Sequence, residues 1–189
     1  MVALQPRVQP RLSRPSWWAI GIPLLVQVGI VVAIPAQKAY TLATGTTVFL
    51  QTVPVDPYDL LRGRYVTLDY QLARWETLEA LPGWSPQLLD RPTVFITLKP
   101  GATPEAAWIP VAIAAEYPAV VEPGQQVIRG RWQGSRLDLG LGEYFIPEAI
   151  GDDLEADLRQ HPELARAEVK VDAQGRSALV RVWVADRSY

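Results

Sequence analysis

His161 is the only histidine among 189 residues and cysteine is absent, which narrows the chemistry open to this chain. Thiolate nucleophiles, thiolate zinc sites and histidine-rich metal sites need residues that it lacks. A Ser-His-Asp relay would have to recruit His161, which stands beside Pro162 at the expected end of a helix, where a solvated side chain is the default. A serine nucleophile with a lysine base, as in signal peptidases, could draw on Ser85, Ser135 or Ser177 with Lys99 or Lys170, but none sits in a recognisable nucleophile motif. Twenty acids allow many carboxylate pairs for glycoside hydrolysis, and nothing selects one of them. Asp152, Asp153 and Glu155 cluster, yet they lack the alternating oxygen ligands and turn glycine of a calcium loop and read as an acidic helix start. No catalytic residue, cofactor motif or metal site emerges, and a non-enzymatic role is favoured.

The elements that would carry any site begin with a charge-free run of twenty-three residues, Pro15 to Gln37. Its apolar part, Trp17 to Ala36, is twenty residues long, and at about 1.5 Å per residue such a helix spans the roughly 30 Å of a bilayer core. Trp17 and Trp18 at one end and Tyr40 past the other suit the headgroup boundaries. Arg7, Arg11 and Arg14 precede the run and only Lys38 closely follows, so the positive-inside bias predicts a cytoplasmic N-terminus and an exported remainder. Small residues at Ala33, Ala36 and Ala39 would suit cleavage, but a signal peptide's apolar region is about 7–15 residues and this one is longer. The expected organisation is a cytoplasmic tail over 1–15, a transmembrane helix over 16–36, a short polar connector over 37–45 and an exported domain over 46–189. Within the helix, Gly29 and Ala33 form a small-xxx-small pair and Gln27 is a lone amide at mid-depth. Both could mark a helix partner, or they could be ordinary membrane-helix residues with Gln27 bonding near backbone loosened by Pro23.

After Gln37 the chain carries all twenty acids and fifteen bases, a net of minus five. That sign, and the lack of a basic aromatic-interleaved patch, argue against nucleic acid as a partner. Without cysteine the domain must be held by its core alone, and roughly 144 residues are enough to bury one.

Short β-rich runs separated by Pro and Gly predict a mainly β, α+β domain of barrel or sandwich type. Expected strands are 46–53, 65–73, 93–99, 108–115, 126–132, 144–146, 167–171 and 178–185, the last two joined as a hairpin by the polar turn Asp172 to Gly175. One helix is expected over 147–160, with Leu154 and Leu158 on the face that packs on the sheet, and a shorter one around Trp75, Leu78 and Leu81.

The segment Val53 to Tyr70, VPVDPYDLLRGRYVTLDY, combines a turn and a strand. Asp56 suits an N-cap, Pro57 the first helical position, Asp59 the third, and Gly63 the residue past the end of a one-turn helix. Beyond it, Val66, Leu68, Tyr70 and Leu72 alternate with Tyr65, Thr67, Asp69 and Gln71, as on a half-buried strand. On this reading Tyr70 is a core aromatic whose hydroxyl needs a partner. Leu61 to Tyr65 also echoes Ile128 to Trp132, each a glycine between arginines followed by an aromatic, which is too little to establish a repeat.

Through Gly63, Arg64, Tyr65, Leu68 and Tyr70 the sequence resembles the GDYXXLXY protein family, and TVFITLKP, WIPVAI, VIRGRW, GLGEYFIPE and AEVKVDAQGRSALVRV resemble that family's later blocks in the same order. The resemblance implies one N-terminal membrane helix, an exported β-rich domain and the company of polytopic membrane proteins, and it implies no particular reaction. Arg64 stands where the motif has an acid, and a guanidinium can neither accept a proton nor ligate a cation, so an acid-based activity is disfavoured further. The expected role is a bilayer-anchored, non-catalytic accessory or assembly protein that binds or stabilises an integral membrane or exported protein. The alternative is an exported ligand-binding or hydrolytic domain with a pocket near the Gly63 to Tyr70 strand, lined by Arg64, Tyr65 and Asp69.

Overall fold

The computed structural model describes residues 17–53, 65–145, 154 and 156–189. Two units make up the chain, Met1–Gln37 and Lys38–Tyr189. The described part of the first is helical and belongs to α1 (Trp17–Thr44), which includes Pro23 and Pro35. The stretch Ile20–Thr44 is long and apolar enough to cross a membrane.

In place of the polar connector expected over 37–45, α1 continues to Thr44. Between Pro35 and Gly45 no residue breaks a helix, and Ala36, Gln37, Lys38, Ala39, Leu42 and Ala43 favour one. Gly45 ends it, donating its N–H to the Thr41 carbonyl at 2.9 Å. A Cβ at Gly45 would lie 2.6 Å from that oxygen and 3.0 Å from the Val171 nitrogen, so only glycine lets the chain turn directly into a strand here.

The second unit is mainly β. Strands β1 (Thr46–Val53), β3 (Asp69–Tyr70), β9 (Ala165–Val171), β10 (Ser177–Val184) and β11 (Arg187–Ser188) form a sheet in the order β11-β10-β9-β1-β3. A second sheet, β5-β4-β6-β7, contains β4 (Thr93–Lys99), β5 (Ile109–Ala114), β6 (Gln126–Gln133) and β7 (Arg136–Asp138). The pair β2 (Tyr65–Thr67) and β8 (Glu143–Phe145) stands apart from both. All described pairings are antiparallel and no closed barrel forms among the described residues, which is a sandwich-like α+β domain.

Alternation explains the core. In β1, Val48 and Leu50 are buried between half-buried neighbours, and β9 buries Ala165, Ala167, Val169 and Val171 with the same period of two. The second sheet contributes Val94, Ile96, Leu98 and Ile128, and these side chains join those of the first in one cluster. Gly130 lies in mid-strand rather than in a turn, and Leu137 occupies the space a side chain there would need. At one margin Trp75, Trp84 and Trp132 pack edge-on or tilted at 5.1–6.5 Å between centroids, joining α2 (Trp75–Glu79) and the loop after it to β6.

The strand expected over 65–73 is broken. It pairs with β8 as far as Thr67, resumes as β3 against β1, and ends in a 3-10 turn at Gln71–Ala73. Alternation shows which side chains are buried, but it cannot show that the partner changes at Leu68, where the N–H bonds to the Gly142 carbonyl instead of to a strand. The 147–160 helix is described at 154 and 156–160 (α3), with Leu154 buried and Leu158 packed against the core. Its expected acidic start at Asp152, Asp153 and Glu155 lies outside the described residues.

Candidate functional site

Of the motif residues, Leu68, Asp69 and Tyr70 are fully described. Leu68 and Tyr70 are each about 3% exposed and belong to the core. The Tyr70 hydroxyl donates to the Leu141 carbonyl at 2.9 Å, and burial, reinforced by the charge of Asp69, pushes its pKa well above the usual tyrosine range. A phenol held neutral and engaged in this way is a structural staple, not an acid-base group. Asp69 points outward to Arg136, with 2.6 Å between Oδ1 and Nη2, on a surface where such pairs contribute little. Tyr65 is placed by its backbone pairing with Phe145 in β2. Gly63 and Arg64, with the capping set Asp56, Pro57 and Asp59, lie outside the described residues.

The staple grips a short strap, Asp138 to Gly142. Gly140 takes φ +71° and donates its N–H to Asp138 Oδ1 at 2.7 Å, a turn that leaves Leu139 and Leu141 both buried. The strap is held from two sides. Leu141 and Gly142 offer their carbonyls to Tyr70 and Leu68, while the Leu139 carbonyl accepts from Ser177 Oγ at 2.7 Å. Ser177 opens β10, immediately after the hairpin turn.

That turn holds the most fully engaged carboxylate among the described residues. Asp172 is 3% exposed. Its Oδ1 accepts the backbone N–H of Gln174 and of Arg176, each at 3.0 Å. Oδ2 accepts the Thr41 hydroxyl at 2.8 Å and Arg176 Nε at 2.7 Å. Four donors fill the roughly four acceptor sites of a carboxylate. Burial alone would raise its pKa, but the Thr41 hydroxyl, the Arg176 side chain and the two backbone N–H groups outweigh that and hold it below the ordinary carboxylate range. The Arg176 guanidinium lies 5.9 Å from the centroid of the Tyr40 ring. Gly175, at φ +78°, offers its carbonyl to the Arg129 N–H at 2.8 Å, so the turn also caps an open edge of β6. One turn thus joins the last turns of α1 to both sheets.

A cleft of about 220 Å³ lies beside the end of the motif strand, lined by Gln51, Gln71, Leu72, Thr77, Trp108 and Ile109 among others. No side chain lining it is charged. Gln51 is tied down by its amide, which donates to the carbonyls of Ala165 at 2.9 Å and Glu163 at 3.1 Å. The pocket proposed from sequence would use Arg64, Tyr65 and Asp69. Asp69 and Tyr65 are not among the residues lining the cleft.

His161 is exposed and caps α3 through its N–H, which bonds to the Asp157 carbonyl. Asp157 accepts from the Tyr189 hydroxyl and from Arg187, and those bonds hold its carboxyl below its ordinary value. No group of three metal-ligating side chains occurs among the described residues. In α1, Gln27, Gly29 and Ala33 are exposed, and a Cβ at Gly29 would meet nothing within 4 Å.

Sequence reasoning missed Thr41, Arg176, the strap and the cleft. The only signal at Asp172 is its place at the start of a polar turn, which marks local bonding to the backbone but not a hydroxyl 131 residues away. No curated protein and no solved structure matches the chain. The GDYXXLXY protein family profile matches residues 27–182, from the apolar helix through the motif strand, the strap and the hairpin, and the chain belongs to that family.

Proposed function

We propose that this protein is a single-pass, bilayer-anchored accessory protein, with its N-terminus in the cytoplasm and its β-rich domain exported, where it docks on and stabilises an integral membrane protein. The observation that carries this reading is the seat of the helix end. Thr41 and Tyr40 bond within the domain through Asp172 and Arg176, and α1 runs to Thr44 with only Gly45 before β1, so no long linker separates the apolar helix from the domain. A short junction keeps the domain near the bilayer, which suits docking on a membrane neighbour better than search at the end of a long linker. The engagement of Tyr70, Asp172 and Asp157 in internal bonds supports a scaffold role for these side chains. The small pair Gly29 and Ala33 is exposed and available for contact.

Recovery from membranes in mild detergent tests the proposal. The protein is expected to elute with one integral membrane protein in fixed ratio, and Gly29→Leu with Ala33→Leu to weaken that association if the helix supplies the contact. Elution alone under every mild condition would overturn it. The cleft favours a second reading, a site for a small uncharged ligand bearing amide or hydroxyl groups. At about 220 Å³ it is smaller than the roughly 300–1,000 Å³ usual for drug-sized ligands, so it ranks behind docking.

A further inference from the structure

The staple at Tyr70, the clasp at Ser177 and the carboxylate at Asp172 are each local features, but they follow one another through space. Tyr70 Oη bonds to Leu141 O at 2.9 Å, and Leu68 N to Gly142 O at 3.0 Å. Two residues back along the strap, Leu139 O accepts from Ser177 Oγ. Ser177 pairs with Val171 across the first rung of the β9–β10 hairpin, whose turn presents Asp172 to Thr41. The partners are separated by 71, 38 and 131 residues, so none of these bonds follows from local chain geometry.

We propose that the strap Asp138 to Gly142 is a coupling element between the motif strand and the seat of the membrane helix, so that loosening Tyr70 loosens Thr41 and the reverse. The strap suits this role because its shape depends on a single glycine turn, at Gly140, and its carbonyls are divided between the motif on one side and the hairpin on the other. Its other support is short: it runs from β7 to β8, each three residues long, and Leu139 and Leu141 anchor it in the core. Coupling energy travels through such contiguous hydrogen-bonded and packed networks when a perturbation at one end changes the equilibrium at the other. The consequence is that whatever engages the exposed side of the motif strand, at Asp69 and Arg136, is felt at the base of the helix. This stands on the bonds named here, with or without a docked partner.

Amide hydrogen exchange on the full chain in detergent micelles tests it. Tyr70→Phe deletes one hydroxyl and keeps the ring. Exchange at residues 41–47 should rise about five-fold more than exchange in β4, the factor that about 1 kcal/mol of local opening produces beyond any global loss of stability. Ser177→Ala should raise exchange at 41–47 by itself, and in that background Tyr70→Phe should add less than about two-fold there, because the route is already cut. Faster exchange confined to residues 65–72 and 139–142, with 41–47 unchanged, would overturn the proposal. So would a rise at 41–47 no larger than that in β4, or a full Tyr70→Phe effect persisting in the Ser177→Ala background.

Discussion

Replacing Asp172 with asparagine should destabilise the protein far more than a surface charge change of the same kind. The carboxylate is buried and accepts four bonds, two of them from Thr41 and the Arg176 guanidinium. Asparagine keeps the shape but turns an amide NH₂ toward donors that need an acceptor. A lost charge-assisted bond is worth about 1.5–3 kcal/mol and a lost neutral one about 0.5–1.5 kcal/mol, so the total is about 2–4 kcal/mol. For a chain of this size that is roughly 5–15 °C in Tm. Seven tryptophans make intrinsic fluorescence a convenient readout of the full chain melting in detergent. The pH dependence supplies a second check. The folded pKa of Asp172 lies below its unfolded value near 3.8, so its contribution is complete above that value and is lost as pH falls through the folded pKa. The gap between wild type and Asp172→Asn should therefore be full at pH 6–7 and close on acidification below about pH 4. A variant that melts within 1–2 °C of wild type at pH 7, or a gap that does not narrow in acid, would refute the reasoning.

Tyr70→Phe leaves the Leu141 carbonyl short of its buried donor and should cost about 1–2 kcal/mol in thermal melts. Because burial raises the folded pKa of Tyr70 above its unfolded value near 10, its contribution is complete below that pH and lost above it, so wild type and variant should converge as pH rises past 10. Gly83 sits at φ +87° with the Ile113 carbonyl where a Cβ would go, so Gly83→Ala should destabilise by about 2 kcal/mol or more, measured the same way. Arg136→Ala removes one partner of a surface pair that is more than half exposed on the arginine side, and the melt should move by no more than about 0.5 kcal/mol.

Much of the domain was legible because half-buried antiparallel strands alternate. The expected bounds 46–53 and 93–99 match the strands, and those of the 165–171 and 177–184 hairpin lie within two residues, since apolar periodicity and a Gly-ended polar turn are both local signals. Tyr70 was rightly expected to be a core aromatic in need of a partner, although nothing in its neighbourhood names Leu141. Residues 65–73 look like one continuous strand in sequence because periodicity reports side-chain direction and not the identity of the neighbour. Gln37 to Gly45 resembles a connector because it has few large hydrophobes, yet helix propensity and the long-range bond from Thr41 to Asp172 decide its state. Strands β7 and β11 are three and two residues long, too short to show a period.

Proximity labelling from single cysteines tests the docking claim most directly, because the native chain has none and every introduced thiol is unique. Photo-crosslinkers attached in intact membranes at Gly29, Ala33, Gln71 or Arg136 are predicted to join this protein to one and the same integral membrane protein from at least one of the helix positions and one of the domain positions. Adducts only with lipid, or with a different protein at each position, would contradict the account.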